Sequence, residues 1–122
     1  NIQVLSDFGR RWEDTWLVEA REKALGYTSA DLATEVEKWF TPPREATSDV
    51  PVLLRVPNFV ENLAIMVECG RLELKFVSKA FRGIAVREWE YWSPAVEKMR
   101  EYEPTSYVEY ERMVVALLEE KQ

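Results

Sequence analysis

From Asn58 to Arg100, apolar residues recur every three or four positions, and glycines and prolines mark the interruptions. That period allows helices and little else. Phe59, Val60, Leu63, Met66 and Val67 fall on one helix face, and Ala64 and Ile65 widen the apolar arc. A helix apolar most of the way round is one buried among others. Asn58 with Glu61 three residues on is a capping-box spacing, so the helix is predicted to start at Asn58, just after Pro57, and to close at Gly70. A short fourth helix follows, carrying Leu72, Phe76, Val77, Ala80 and Phe81, with Glu73 near its start. Gly83 permits a bend. A fifth helix then runs from about Ile84 to Tyr102, with Ala85, Trp89, Trp92, Val96 and Met99 on one face. Pro94 lies inside that pattern and reads as a kink, because the apolar period survives on both sides.

The flanking segments follow the same logic. Leu5, Phe8, Trp12, Trp16, Ala20 and Ala24 form one slowly drifting stripe, which predicts a single helix over Ile2–Leu25 with Trp12 and Trp16 in the core and Gly26 as the stop. Thr28 or Ser29 caps a second helix over about Ala30–Phe40, faced by Leu32, Val36, Trp39 and Phe40 and ended by Pro42 and Pro43. Thr41–Asp49 reads as the longest loop, and Ser48 or Asp49 caps a short turn near Pro51. A sixth helix, Ser106–Lys121, is capped by Thr105 or Ser106 and places Tyr107, Tyr110, Met113, Val114, Leu117 and Leu118 on one side. Val50–Val56 is the only strand-like run, and Pro51 and Pro57 demote it. The chain therefore reads as all-α: one domain over residues 1–122, a compact bundle of five to six helices with no sheet.

Composition narrows the function classes. The 122 residues carry a net charge of -6, which disfavours a phosphate backbone as partner. There is no histidine, which removes His-based catalytic pairs and the commonest zinc sites. The single cysteine, Cys69, cannot form an intramolecular disulfide and is expected to be a small buried filler. No uncharged apolar run, Leu63–Val67 included, comes near the roughly 20 residues that span a bilayer, so no membrane insertion by the chain itself is expected. The first residue is Asn1 and not Met, which is compatible with the soluble part of a longer chain.

The ordered set Asn58-Phe59-Val60-Glu61, Ala64, Gly70-Arg71-Leu72-Glu73, Phe81, Ile84, Trp89, Pro94 and Arg100, closed by Tyr107, Tyr110 and Glu111, resembles a bacterial helical domain of unknown function, the domain-of-unknown-function 4760 family. The resemblance covers roughly Asn58–Met113, and the N-terminal half shares only its helical character. Glu73 stands where the family pattern has a shorter Asp, and either residue can cap the fourth helix. Trp92 lies outside the pattern. The resemblance implies a helical fold, supplies no activity, cofactor or catalytic residues, and implies that some members sit behind N-terminal membrane helices.

Six residues remain as candidates for contacts beyond folding: Asn62, Arg87, Tyr91, Trp92, Arg100 and Glu111. Asn62, between Phe59 and Met66, is expected to be partly buried and to need a partner. Arg87 or Arg100 can pair across the bundle with Glu61 or Glu111. The two arginines are thirteen residues apart, about 20 Å along a helix, so one small anion cannot bridge them. Trp89, Tyr91 and Trp92 cannot all face one core, and Tyr91 is the residue expected at the edge. From Glu97 to Gln122, seven acids against four bases carry half the net charge. No nucleophile–base pair, Gly-rich phosphate loop or metal set is visible, so no catalytic residue, cofactor or metal ligand is assigned and no enzymatic activity is expected. The reading is a cytoplasmic interaction domain, or one at the cytoplasmic membrane face behind an upstream anchor. It would bind a protein partner or itself through the aromatic and acidic surface of the last two helices, and not nucleic acid. The alternative is a small-molecule sensory or regulatory module with a pocket lined by Trp12, Trp89 and Met99.

Overall fold

A computed structural model describes residues 2–120. The elements in order are α1 (Ile2–Trp12), α2 (Thr15–Ala24), α3 (Ser29–Phe40), the four-residue α4 (Val50–Leu53), α5 (Arg55–Glu68), α6 (Leu74–Arg100) and α7 (Val108–Glu119). No strand occurs among the described residues. Since α4 runs directly into α5 through Leu54, the described residues form six helical arms, in line with the all-α reading.

The first predicted helix is two. Asp14 takes an extended conformation and its carboxylate accepts the Trp16 N–H at 3.2 Å, so it caps α2 and resets the helical phase. As a result Leu17 and Ala20 turn inward, while Trp16, expected in the core, is 60% exposed. In α3 the expected cap is present: Thr28 and Asp31 form a reciprocal capping box.

Asn58 is not a cap. Pro57 sits in the first turn of α5, where a missing N–H costs nothing, so the helix begins at Arg55 and the Asn58 N–H bonds to the Leu54 carbonyl at 3.0 Å. The end of α5 is as expected. Gly70 adopts φ +79, the Arg71 N–H reaches the Met66 carbonyl at 2.9 Å, and the Gly70 N–H reaches Val67 at 3.1 Å, a Schellman closure. Cys69, expected to be buried, is exposed at this terminus. Continuous from Val50 to Glu68, this arm is the one helical stretch among the described residues that is long and apolar enough to cross a membrane, and 44% of it is buried inside the domain.

The predicted fourth and fifth helices are one, the 27-residue α6, continuous through Gly83 and Pro94. An interior glycine costs a helix only about 1 kcal/mol, less than the packing of the faces on either side returns. Pro94 points to solvent. Glu73 occupies the N-cap position but makes no capping bond, pairing instead with Lys75. Ala80 and Leu118, read as apolar-face residues, are exposed. Neither Thr105 nor Ser106 caps α7. Its N-cap is Tyr107, in the left-handed conformation at φ 57. Lys121, the expected end of that helix, lies outside the described residues.

Two apolar clusters are strung along α6. The first joins Phe8, Trp12, Phe59, Leu63, Phe81, Tyr110 and Val114. The second joins Leu32, Val36, Leu53, Trp92, Val96 and Met99. Trp89 and Tyr107 pack against both. Trp89 meets Tyr110 edge-on at 4.9 Å, and the buried Tyr110 hydroxyl donates to the Ala85 carbonyl at 3.1 Å. The long loop after α3 is tied back where Asp49 accepts the Tyr27 hydroxyl at 2.6 Å and pairs with Lys23 at 3.2 Å. The Tyr27 hydrogen bond, ahead of Lys23, holds the Asp49 carboxyl below its ordinary value.

A Cβ at Gly70 would meet nothing within 4 Å, so Gly70→Ala isolates the backbone cost of the left-handed conformation. The expected loss is about 1–2 kcal/mol in urea unfolding with an unchanged m-value.

Candidate functional site

The sequence-derived candidates land in three places. The first is the seam between α5 and the start of α7. A left-handed Tyr107 gives α7 no side-chain cap, so its first-turn N–H groups need acceptors from elsewhere. Glu61 supplies one: its Oε1 accepts the Tyr110 N–H at 2.6 Å. Glu61 is thus a cap, as its spacing suggested, but of a helix 49 residues away and not of its own. Burial raises its carboxyl above the ordinary value, and the Tyr110 N–H works in the opposite direction. Nearby, the Tyr107 hydroxyl donates to Asn58 Oδ1 at 2.5 Å. Arg100 donates from Nε to the Ser106 carbonyl at 2.9 Å and from Nη1 to Glu111 at 2.8 Å. The expected arginine–carboxylate pair therefore exists for Arg100 and not for Arg87. Nη2 of Arg100 is buried without a hydrogen-bond partner among the described residues, and the guanidinium carbon lies 5.9 Å from the Trp89 ring centre. Apart from Arg100 Nη2, the polar groups named in this seam are occupied in starting α7 or joining it to α5 and α6.

The second place is a groove of about 530 Å³ between α2 and α5, beside Trp16. Arg55 lies over the Trp16 ring at 3.4 Å while its Nη1 donates to the Trp16 carbonyl at 3.1 Å and to Glu19 at 3.0 Å. The exposed indole is therefore held in one orientation. Leu17, Pro51 and Phe59 supply apolar walls. Arg11 stacks on Phe8 at 4.3 Å and also borders the groove. Asn62 borders it too, and is exposed rather than partly buried. Sequence reasoning missed Trp16, Arg55 and Arg11. The available signal was Asp14, a capping residue inside the apolar stripe, which moves Trp16 off the core face.

The third place is a cleft of about 390 Å³ between the C-terminal end of α2 and the middle of α6. Arg87, Tyr91 and Trp92 converge here, joined by Arg21 and Glu88. Trp92 is 1% exposed and forms floor, not contact surface. Tyr91 is half-buried, and its hydroxyl is used: it donates to the Ala24 and Tyr27 carbonyls at 3.0 and 2.7 Å, closing the end of α2. Arg21 is fixed by the Trp12 carbonyl at 2.8 Å and by stacking on the Trp12 ring at 4.2 Å. Glu88 has no hydrogen bond to a described residue and no ion pair within 4.0 Å, and burial raises its carboxyl above the ordinary value despite Arg87 and Arg21 nearby. The pocket expected from Trp12, Trp89 and Met99 does not form. Trp12 borders a groove with Phe81, Met99 borders a different cleft at the start of α7, and Trp89 lies between the two cores. Side chains that divide between two clusters cannot line one cavity.

Among the described residues no three Cys, Asp or Glu side chains converge as a metal site. The family described as Domain of unknown function (DUF4760) matches residues 8–116, and the chain belongs to it. That match begins within α1 and takes in α2 and α3, well beyond the half of the chain in which the resemblance was read. No curated protein and no solved structure matches the chain.

Glu61→Ala should cost about 1–2 kcal/mol and speed hydrogen exchange at the Tyr110 amide. Glu61→Gln keeps the acceptor and should recover most of that loss. Equal losses in the two variants would show that the capping bond is not what stabilises α7.

Glu88 predicts a pH dependence. A carboxyl raised in the folded state binds its proton more tightly there than in the unfolded chain. The stability this lends is complete below the ordinary value of 4.5 and is lost as pH rises through the folded-state value. Glu88→Gln removes that loss. The variant should melt above the wild type near neutral pH, and the gap should close below pH 4.5, as thermal denaturation at the two pH values would show.

Proposed function

We propose that this domain is a non-enzymatic helical interaction module that docks a protein partner through the groove beside Trp16. The observation that supports it is an indole 60% exposed yet pinned by a stacked and hydrogen-bonded Arg55. Tryptophan and arginine are the side chains most enriched where binding energy concentrates, and one already held in place loses little entropy on contact. This moves the docking surface away from the last two helices. There Glu111 pairs with Arg100, Glu109 pairs with Arg112 and Trp92 is buried, so the aromatic and acidic residues expected to make the contact are already engaged. In this reading the partner is a protein or a second copy of the chain, not nucleic acid. The chain does not itself enter a membrane. The module works in the cytoplasm, or at the cytoplasmic membrane face behind an upstream anchor.

A second reading, a small-molecule module, has one observation in its favour: the unpaired Glu88 beside two arginines over an apolar floor.

The docking reading is tested by sedimentation and affinity capture with three chains: wild type, Trp16→Ala, and Leu118→Ser as a control at another exposed apolar residue. Self-association or capture of a defined partner should weaken about 30-fold or more in Trp16→Ala, with an unchanged melting temperature, and persist in Leu118→Ser. Loss in Leu118→Ser alone, or a wild type that stays monomeric and captures nothing, would sink the reading.

A further inference from the structure

In the α2–α6 cleft a half-buried carboxylate, Glu88, has no partner among the described residues. Half-buried carboxylates in folded domains find partners, because a desolvated charge without one is costly. The neighbours of Glu88 do not provide them. Tyr91 is committed to the Ala24 and Tyr27 carbonyls, and Arg21 to the Trp12 carbonyl. Arg87 is exposed on the rim, in no ion pair within 4.0 Å with a described residue. The carboxylate thus lies in a cleft of about 390 Å³, within the range of small-molecule sites, over the buried surfaces of Val56 and Trp92.

We propose that this cleft binds a small apolar α-amino acid as its zwitterion, the ammonium on Glu88, the carboxylate on Arg87, and the side chain over Val56 and Trp92. Arg21 already has Glu13 at 3.9 Å, so the cleft offers one carboxylate, Glu88, and one guanidinium, Arg87, which suits a ligand that brings one cation and one anion. An α-amino acid carries both charges on one carbon, and Arg87 and Glu88 both line the one cleft. The apolar floor selects an aliphatic side chain over a charged one. This inference deepens the small-molecule reading and is independent of the Trp16 groove.

The test is a titration of the ¹⁵N-labelled full chain followed by amide and indole shifts. Its probes are L-leucine, 4-methylpentanoate with the carboxylate alone, and isoamylamine with the ammonium alone. L-leucine should bind saturably in the range of about 10 μM to 1 mM, which a ligand of this size can reach, with shifts at Arg87, Glu88 and the Trp92 indole. Arg87→Ala, at an exposed position, and Glu88→Gln should each weaken L-leucine about tenfold or more. Each half-ligand should bind more weakly than L-leucine. If a half-ligand binds the cleft as well as L-leucine does, the zwitterion assignment is overturned and the small-molecule reading survives. If no probe shifts these residues, both fall. L-leucine binding untouched by both substitutions would place the site elsewhere and overturn the proposal.

Discussion

A single helix of 27 residues, about 40 Å long, has to serve two cores. In its first half α6 offers Val77, Phe81 and Ala85 to the cluster built with α1, α5 and α7. Its second half offers Trp92, Ala95, Val96 and Met99 to the cluster built with α3 and α4. The change of partner happens between Ala85 and Trp92, and the residues there show its consequences. Trp89 touches both clusters. Glu88 faces neither. A cleft opens at the changeover because the helices that cover α6 on either side belong to different groups. The candidate ligand site therefore follows from the division of the core.

The same architecture explains how helix ends with poor local caps persist. Side chains from one element satisfy the backbone of another. Glu61 of α5 accepts an N–H of α7, Tyr91 of α6 donates to carbonyls at the end of α2, and Arg82 of α6 reaches the Leu117 carbonyl near the end of α7 at 3.3 Å. Each such bond contributes about 1 kcal/mol when made and costs more if a buried group is left unpaired. Because the partners are far apart in sequence, these bonds specify how helices are arranged as well as where each begins.

Periodicity made the helices legible in the sequence, and with them the all-α class and most of the core from Phe59 to Met99. Gly70, the Thr28 cap and the Pro42–Pro43 stop were legible because each acts through its own backbone. What stayed hidden depends on which of two adequate local signals prevails. Asp14 could sit on a helix or start one, and starting one turns Trp16 outward. Pro57 could follow a loop or fill a first turn, and filling a turn removes Asn58 from the capping position and frees Glu61 for α7. Gly83 could bend the chain or ride inside α6, and packing on both sides decided for the helix. The Arg100–Glu111 pair was foreseeable because both lie on predicted helices with opposite charge. Arg21 and Glu88 were not, since nothing local shows that α2 and α6 leave a gap between them.

Both candidate surfaces share α2, and its construction suggests why. Of its ten residues only Leu17 and Ala20 are buried, so little apolar area holds it in place. It is fixed by arms reaching in from outside the helix: Arg55 to the Trp16 carbonyl and Tyr91 to the Ala24 carbonyl, with its own Arg21 reaching back to Trp12. Elements with few buried contacts and many exposed backbone bonds open at the lowest free energy, and binding surfaces are drawn from them. Trp16 at one end and the Arg21 cleft at the other are thus mounted on a helix with few buried side chains of its own.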